Sequence, residues 1–101
     1  MVYVASPNGL HAPQTIKAAE AGKHVLCEKP MALSEAEGLE MAKTARSLGK
    51  TLSVGQCIRF WPEYVEVKRY LTEGTYGELR HASLERYSAP PSWSQGNWMM
   101  D

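Results

Sequence analysis

The stretch Ala19-Glu20-Ala21-Gly22-Lys23-His24-Val25-Leu26-Cys27-Glu28-Lys29-Pro30 decides the fold that we predict for this chain. Gly22 is a natural stop for the helix that precedes it, and the apolar run at 24–27 is typical of a buried strand. Glu28-Lys29-Pro30 then carries the chain from the strand into a loop. Because open α/β sheets bind their ligands at the carboxyl ends of strands, Lys29 stands where an amine can do chemistry.

The segments on both sides repeat this alternation of strand and helix. We predict strands at 2–5, 24–27 and 51–54, and helices at 11–21 and from about 35 to 48. Ser34 and Glu37 have the spacing of a reciprocal capping box, which gives the second helix a clear start. Strands that are joined by helical crossovers run in the same direction. The sequence therefore predicts an α/β fold with a parallel βαβαβ sheet.

A different pattern begins near residues 55–60. Pro62 suits the first turn of a helix that we predict to run to about Glu73, followed by a turn at 74–77 and a long strand at 78–87. Residues 90–98 are expected to form a loop that carries Trp93 and Trp98. Because one strand cannot form a sheet alone, we expect another chain or a longer sequence to complete this part.

Composition and charge exclude several classes of partner. The 101 residues include 11 Lys and Arg against 11 Asp and Glu, so broad electrostatic binding to nucleic acid or to a membrane surface is not expected. No apolar run approaches the length that spans a bilayer, and we find no signal peptide. Cys27 is expected to be a reduced, buried thiol, which favours a cytoplasmic location. The spacing of the histidines and cysteines predicts no metal site.

Five short motifs occur in a fixed order along the chain. They are Ala5-Ser6-Pro7-Asn8-Gly9-Leu10-His11, the stretch 19–30 quoted above, Val54-Gly55, Arg59-Phe60 with Pro62, and Gly74-Thr75-Tyr76-Gly77. With these motifs at these intervals, the chain resembles the Gfo/Idh/MocA oxidoreductases, the relatives of glucose-fructose oxidoreductase and inositol dehydrogenase. The resemblance covers essentially the whole chain.

The resemblance implies an NAD(P)-dependent oxidoreductase, with NAD or NADP as cofactor, that acts on a sugar, a polyol or a similar hydroxylated compound. It implies that residues 1–58 are the C-terminal part of a dinucleotide-binding Rossmann domain. Residues 59–101 would then be a linker helix and the first strand of an incomplete α+β domain for substrate binding and oligomerisation. Through the sheet of that domain, the full-length protein is expected to form a homo-oligomer.

The resemblance also implies which residues form the site. Lys29 would be the catalytic residue, because its ammonium can stabilise alkoxide character on a substrate oxygen or exchange a proton there. Pro30 would fix the loop that aims Lys29, in a tight turn of the kind that accommodates a cis Lys29-Pro30 bond. Cofactor contacts are expected at Ser6, Pro7, Asn8, His11, Glu28, Lys29, Pro30 and Arg59, and a substrate pocket at Phe60, Trp61 and Trp98.

Two parts of the family pattern do not occur in this sequence. There is no Gly-rich turn of the kind that lets a backbone approach the pyrophosphate of a dinucleotide. The later Asp and His that the resemblance implies for proton transfer would follow a tryptophan like Trp98, but the sequence ends at Asp101. We therefore expect this chain to be an internal fragment that is inactive by itself.

Simpler interpretations exist for each candidate residue. Lys29 could be a solvated lysine at a strand end, His11 a solvent-facing residue in the first turn of a helix, and Arg59 half of a surface ion pair. The tryptophans would then pack in a core or an interface. For the whole protein, the alternatives are a non-catalytic relative that binds a nucleotide or sugar as a sensor, and an interaction module in which Lys29 is incidental.

Overall fold

A computed structural model describes residues 1–89 of the chain. Its elements are β1 (Val2–Val4), a 3-10 turn (Asn8–Leu10), α1 (His11–Glu20), β2 (Val25–Cys27), α2 (Glu35–Ser47), β3 (Leu52–Val54), a second 3-10 turn (Cys57–Phe60) and α3 (Pro62–Glu73). Residues 1–57 form one compact unit, and a second unit begins at Ile58. The predicted βαβαβ order is confirmed in the first unit, and the assignment of the two units to particular domains stays a prediction.

The three strands form one parallel sheet in the order β1-β2-β3. Val2 pairs with Val25 across β1 and β2, and Val25 pairs with Leu52 across β2 and β3. The central strand is therefore β2, which is the strand that leads into Glu28-Lys29-Pro30. Since all three strands run the same way, the loops that follow them lie at one edge of the sheet.

Alternate residues of the strands divide the sheet into a buried face and an open face. The buried face contributes Val4, Val25 and Cys27 to a cluster that also contains Ala12 of α1 and Met41 of α2. Helix α1 contacts both the sheet and α2, and Met41 joins α2 to the same cluster. Tyr3, in contrast, points away from this cluster and is 56% exposed.

The start of α2 follows the predicted capping pattern with one change. Ser34 is the N-cap residue, and its hydroxyl accepts a hydrogen bond of 3.3 Å from the backbone N–H of Glu37. The Glu37 carboxylate reaches back to the backbone N–H of Leu33, at 3.0 Å, rather than to that of Ser34. Two N–H groups at the start of the helix are thus satisfied by side chains.

Replacement of Ser34 by alanine is expected to lower the free energy of unfolding by about 1 kcal/mol, because the N–H of Glu37 loses its side-chain acceptor. Urea unfolding followed by circular dichroism measures the change. The control is Ser47→Ala in the last turn of the same helix, where the hydroxyl donates to the carbonyl of Thr44 at 3.0 Å. Equal losses in the two variants would contradict a capping role for Ser34.

The second unit contains α3 and the segment that follows it. Pro62 occupies the first turn of α3, and the helix ends at Gly74, whose φ of 66° is the left-handed conformation that glycine adopts without strain. Arg69 forms ion pairs with Glu66 and Glu73 on an exposed face of this helix. The predicted helix and the predicted turn after it are both confirmed.

The strand predicted at 78–87 is wrong, since residues 78–89 have no strand in this structure. A strand is stable only when its backbone groups pair with a neighbour, and the described part of the chain offers these residues no neighbouring strand. The loop predicted at 90–98, with both of its tryptophans, lies outside the described residues. Within residues 1–89, no helix is both long enough and apolar enough to cross a membrane.

Candidate functional site

The candidate site lies where the three parallel strands end. Ser6 and Pro7 follow β1, Glu28-Lys29-Pro30 follows β2, and Gly55 follows β3. Backbone hydrogen bonds hold the ends of neighbouring strands together. The N–H of Glu28 donates to the carbonyl of Val4 at 2.9 Å, and the N–H of Gly55 donates to the carbonyl of Cys27 at 2.8 Å. The sheet therefore brings the three loops to one edge.

Glu28 is held by hydrogen bonds to both carboxylate oxygens. The hydroxyl of Tyr3 donates to Oε1 at 2.6 Å, and the backbone N–H of Lys29 donates to Oε2 at 3.1 Å. These two bonds, that of Tyr3 first, lower the pKa of Glu28, with smaller contributions from the charges of Lys29 and His11. The same bond raises the pKa of Tyr3. Glu28 is thus kept as a carboxylate that orients the backbone of Lys29.

Tyr3 and Gly55 take part in this arrangement, although the sequence argument did not place them in the site. Tyr3 pairs in register with Leu26, two residues before Glu28, and stands on the open face of the sheet. A Cβ atom at position 55 would come within 3.3 Å of Oε2 of Glu28. The alternation in β1 indicates that Tyr3 faces away from the buried Val4, but its contact with Glu28 depends on the register of β1 and β2, which the sequence alone does not show.

Lys29 has an exposed side chain at the end of the central strand. The peptide bond between Lys29 and Pro30 is cis. The backbone N–H of Lys29 donates a hydrogen bond to the Glu28 carboxylate, while the Lys29 ammonium has no salt-bridge partner among residues 1–89. An unpaired, exposed amine on a fixed backbone is available to a bound ligand.

His11 is buried, with 1% of its surface exposed, so the alternative of a solvent-facing histidine is wrong. Its Nε2 lies 2.8 Å from the carbonyl oxygen of Ser6, and its Nδ1 lies 2.7 Å from that of Pro30. Both ring nitrogens are therefore engaged by backbone groups of this chain. The geometry does not support the predicted direct contact between His11 and a cofactor.

The loop after β1 supplies the remaining polar groups of the first unit. The hydroxyl of Ser6 donates to Oε1 of Gln14 at 2.8 Å, and Pro7 accepts a hydrogen bond from the N–H of Leu10 at 2.8 Å. Asn8 opens the 3-10 turn and is half-buried. Ser6, Pro7 and Asn8 thus lie in the same strand-end loop, as predicted, and their contacts with a cofactor remain a prediction.

Three further predicted site residues belong to the second unit. Arg59 and Phe60 lie in the 3-10 turn at 57–60, and Trp61 is the N-cap residue of α3. Arg59 lines a cavity of about 350 Å³ with Tyr64 and Lys68. Phe60 is 80% exposed, and the guanidinium of Arg86 lies 5.6 Å from the ring centre of Trp61. Trp98 lies outside the described residues.

Behind the loop, Cys27 is a free thiol with no exposed surface, as predicted. Burial, the largest cause, raises the pKa of this thiol, and the thiol donates to the carbonyl of Glu28 at 3.3 Å. His24 has a structural role, since its Nδ1 accepts the backbone N–H of Thr51 at 2.9 Å. Over residues 1–89, no three His, Cys, Asp or Glu side chains gather as a metal site would require.

Replacement of Tyr3 by phenylalanine is expected to raise the pKa of Glu28, because it removes the largest cause of the lowering. A carboxyl group whose pKa is lower in the folded state than in the unfolded state stabilises the fold at pH values above its unfolded pKa. This stabilisation is lost as the pH falls through its folded pKa. The variant should therefore be less stable than the wild type at neutral pH and should lose less stability on acidification, because the folded pKa of Glu28 moves toward its unfolded pKa. NMR titration of the Glu28 carboxyl carbon measures the shift.

The control for this titration is Tyr76→Phe, which removes the hydroxyl of a tyrosine that is 82% exposed in the second unit. It should leave the titration of Glu28 unchanged. An unchanged titration of Glu28 in the Tyr3 variant would contradict the hydrogen bond as the main cause of the lowered pKa.

Residues 1–56 match an oxidoreductase family with an NAD-binding Rossmann fold, the Gfo/Idh/MocA family. The chain is 39% identical over 95 residues to a D-glucoside 3-dehydrogenase of Escherichia coli, a match that covers 92% of this chain and 27% of the relative. It is 43% identical over 90 residues to an NADP(+)-dependent scyllo-inositol 2-dehydrogenase of Bacillus subtilis, covering 87% of this chain and 27% of the relative. The chain thus spans about a quarter of the length of these relatives.

Solved structures agree with the sequence matches. The WlbA dehydrogenase of Chromobacterium violaceum, in complex with NADH and UDP-GlcNAcA, superposes with a TM-score of 0.73 at 41% identity. The superposition covers 75% of this chain and 22% of that protein. Because the family match spans more than half of the residues and the parallel sheet is the one the family shares, the chain belongs to the Gfo/Idh/MocA oxidoreductases, which have an NAD-binding Rossmann fold.

Proposed function

We propose that the protein is an NAD(P)-dependent dehydrogenase that acts on a hydroxyl or carbonyl group of a sugar, a polyol or a related compound. The observation that carries the proposal is the exposed ammonium of Lys29, on a backbone fixed by Glu28 at the end of the central parallel strand. Family membership supports the cofactor class, and relatives such as the glucoside and inositol dehydrogenases support the substrate class.

The residues of this chain fit one half of a dinucleotide. At the strand-end edge they offer hydrogen-bonding side chains of the kind that ribose and carboxamide groups need, from Ser6, Asn8 and Lys29. Gly55 leaves open the space beside Glu28 that a side chain would take. The chain has no Gly-rich turn for the pyrophosphate, so we assign to it only the nicotinamide side of the cofactor site.

The chemistry that this chain supplies centres on the substrate oxygen. When bound, the nicotinamide accepts or supplies the hydride. Lys29 would stand at the hydroxyl or carbonyl oxygen, where its ammonium stabilises developing negative charge and can hold or return the hydroxyl proton. Glu28 supports this step through the backbone of Lys29, to which its Oε2 is bonded, and its remaining lone pairs stay available to the cofactor. We also propose Arg59 as a cofactor contact and Phe60 and Trp61 as substrate contacts.

Titration of the protein expressed from its complete gene tests this function. NADH or NADPH should show a saturable change in nicotinamide fluorescence, and the oxidised cofactor should be reduced in the presence of myo-inositol, scyllo-inositol or a glucoside. Binding without turnover on any of these compounds would favour a non-catalytic sensor. The absence of any fluorescence change with either cofactor would contradict the proposal and favour an interaction module.

Two broader properties are part of the same proposal. The free thiols of Cys27 and Cys57 support a cytoplasmic location, because oxidising compartments favour disulfides. Assembly into a homo-oligomer through the substrate domain is proposed from the family resemblance, and sedimentation velocity on the full-length protein tests it. The proposed partner is a small molecule, and the even charge balance gives no support to a nucleic acid or a membrane surface.

A further inference from the structure

One buried ring joins the two loops of the strand-end site. His11 is the first residue of α1, and its imidazole contacts the carbonyl of Ser6 through Nε2 and that of Pro30 through Nδ1. Ser6 belongs to the loop after β1, and Pro30 belongs to the loop that carries Lys29. Within residues 1–89, no other side chain is hydrogen-bonded to both loops.

The two contacts depend on the chemistry of the imidazole. A carbonyl oxygen only accepts, so each contact is a hydrogen bond when the facing ring nitrogen carries a proton. The ring is 1% exposed, so its two nitrogens face these carbonyls and not bulk water. Its backbone is anchored as well, since the next residue, Ala12, belongs to the hydrophobic core cluster and Thr15, one turn further along α1, is fully buried.

We propose that His11 is a positioning residue that ties the Ser6 loop to the Lys29-Pro30 loop. By fixing both loops to the start of α1, it sets where the Lys29 ammonium stands relative to the polar groups of the Ser6 loop. The effect on the cofactor site rests on the proposed function, whereas the tie between the loops is a property of the chain itself. This role replaces the direct cofactor contact that the resemblance implied for His11.

Three variants separate the two hydrogen bonds. His11→Phe keeps a ring of similar shape and removes both ring nitrogens. His11→Asn places an amide nitrogen near the position of Nδ1 and retains the bond to Pro30, whereas His11→Gln places one near Nε2 and retains the bond to Ser6. The matched control is Ala19→Gly, which weakens the same helix at a buried position near its opposite end.

Amide hydrogen exchange is measured on the full-length protein without cofactor. Two segments are compared: the amides of residues 8 and 9 in the Ser6 loop, and those of residues 29 and 31 in the Lys29-Pro30 loop. His11→Phe should speed exchange in both segments by up to about tenfold more than Ala19→Gly does, in line with the net strength of one hydrogen bond. His11→Asn should restore protection only at 29 and 31, and His11→Gln only at 8–9. If His11→Phe exchanges no faster than Ala19→Gly in both segments, His11 does not tie the two loops together. If His11→Phe does not fold, the selective protection expected in His11→Asn and His11→Gln decides whether it does.

NADH and NADPH titration then separates this proposal from the proposed function. If the wild-type protein binds neither cofactor, the proposed function is wrong. The hydrogen-exchange result still shows whether His11 links the two loops. If the wild-type protein does bind, His11→Phe should bind more weakly than Ala19→Gly and lower kcat by about 10²-fold, the cost of a misplacement near 1 Å. Faster loop exchange with wild-type cofactor affinity and wild-type kcat would overturn the positioning role.

Discussion

Replacement of Lys29 by methionine is expected to lower kcat by about 10²- to 10⁴-fold, the usual contribution of a positioned acid or base. Methionine keeps the unbranched stem of lysine and removes the charge and the exchangeable protons. Because the Lys29 side chain is exposed, its loss opens no cavity and the fold should be unchanged. Steady-state kinetics on the full-length protein, with a thermal melt of each variant, measure both quantities.

The matched control is Lys23→Met, at the opposite end of the same strand. Lys23 precedes β2, is exposed, and donates its backbone N–H to Ala18 at 3.0 Å as part of the turn after α1. The change of side chain and charge is the same, but the residue lies at the amino edge of the sheet. A kcat for Lys29→Met that matches the Lys23 control would contradict the catalytic assignment of Lys29.

Lys29→Arg separates the two roles proposed for the ammonium. Arginine keeps the positive charge but does not release its proton in proteins. If charge stabilisation of the substrate oxygen is the main contribution, the arginine variant should retain more activity than the methionine variant. If proton exchange dominates, the two variants should be equally inactive. Cofactor titration of both variants checks that binding is preserved.

Local features of the sequence were sufficient to predict the elements of the first unit. The capping pair Ser34 and Glu37 marks the start of α2, and apolar runs bounded by turn residues mark the three strands. Two helical crossovers then make a parallel sheet the natural arrangement. The position of Lys29 at a strand end follows from these same features, whereas its catalytic role was proposed from the resemblance to the Gfo/Idh/MocA family.

Features that depend on distant partners could not be predicted in the same way. Whether His11 faces solvent or the interior depends on the carbonyl of Pro30, which is 19 residues away along the chain. Tyr3 reaches Glu28 only because the register of β1 and β2 places it there. The strand expected at 78–87 required a pairing partner that its own composition cannot supply.

The second large effect is expected at Met41 in α2. Among the described residues Met41 is the largest fully buried side chain, with 0% exposure, and it packs in the cluster with Val4, Ala12, Val25 and Cys27. Met41→Ala is expected to lower the free energy of unfolding by about 2–5 kcal/mol, the range for removing such a side chain from a core. Most of the other side chains in this cluster are small, so they cannot move far enough to fill the cavity that the substitution would leave.

Urea unfolding measures the loss, and Leu39→Ala on the same helix is the control because that side chain is 63% exposed. The control should change stability by about 0.5 kcal/mol or less, as surface substitutions usually do. Since Val25 and Cys27 of the central strand belong to the same cluster as Met41, the cavity would also loosen the support of the Glu28-Lys29-Pro30 loop. We therefore expect Met41→Ala to lower cofactor affinity at temperatures where the protein is still folded. Equal losses of stability in Met41→Ala and Leu39→Ala would contradict the packing of α2 against the sheet.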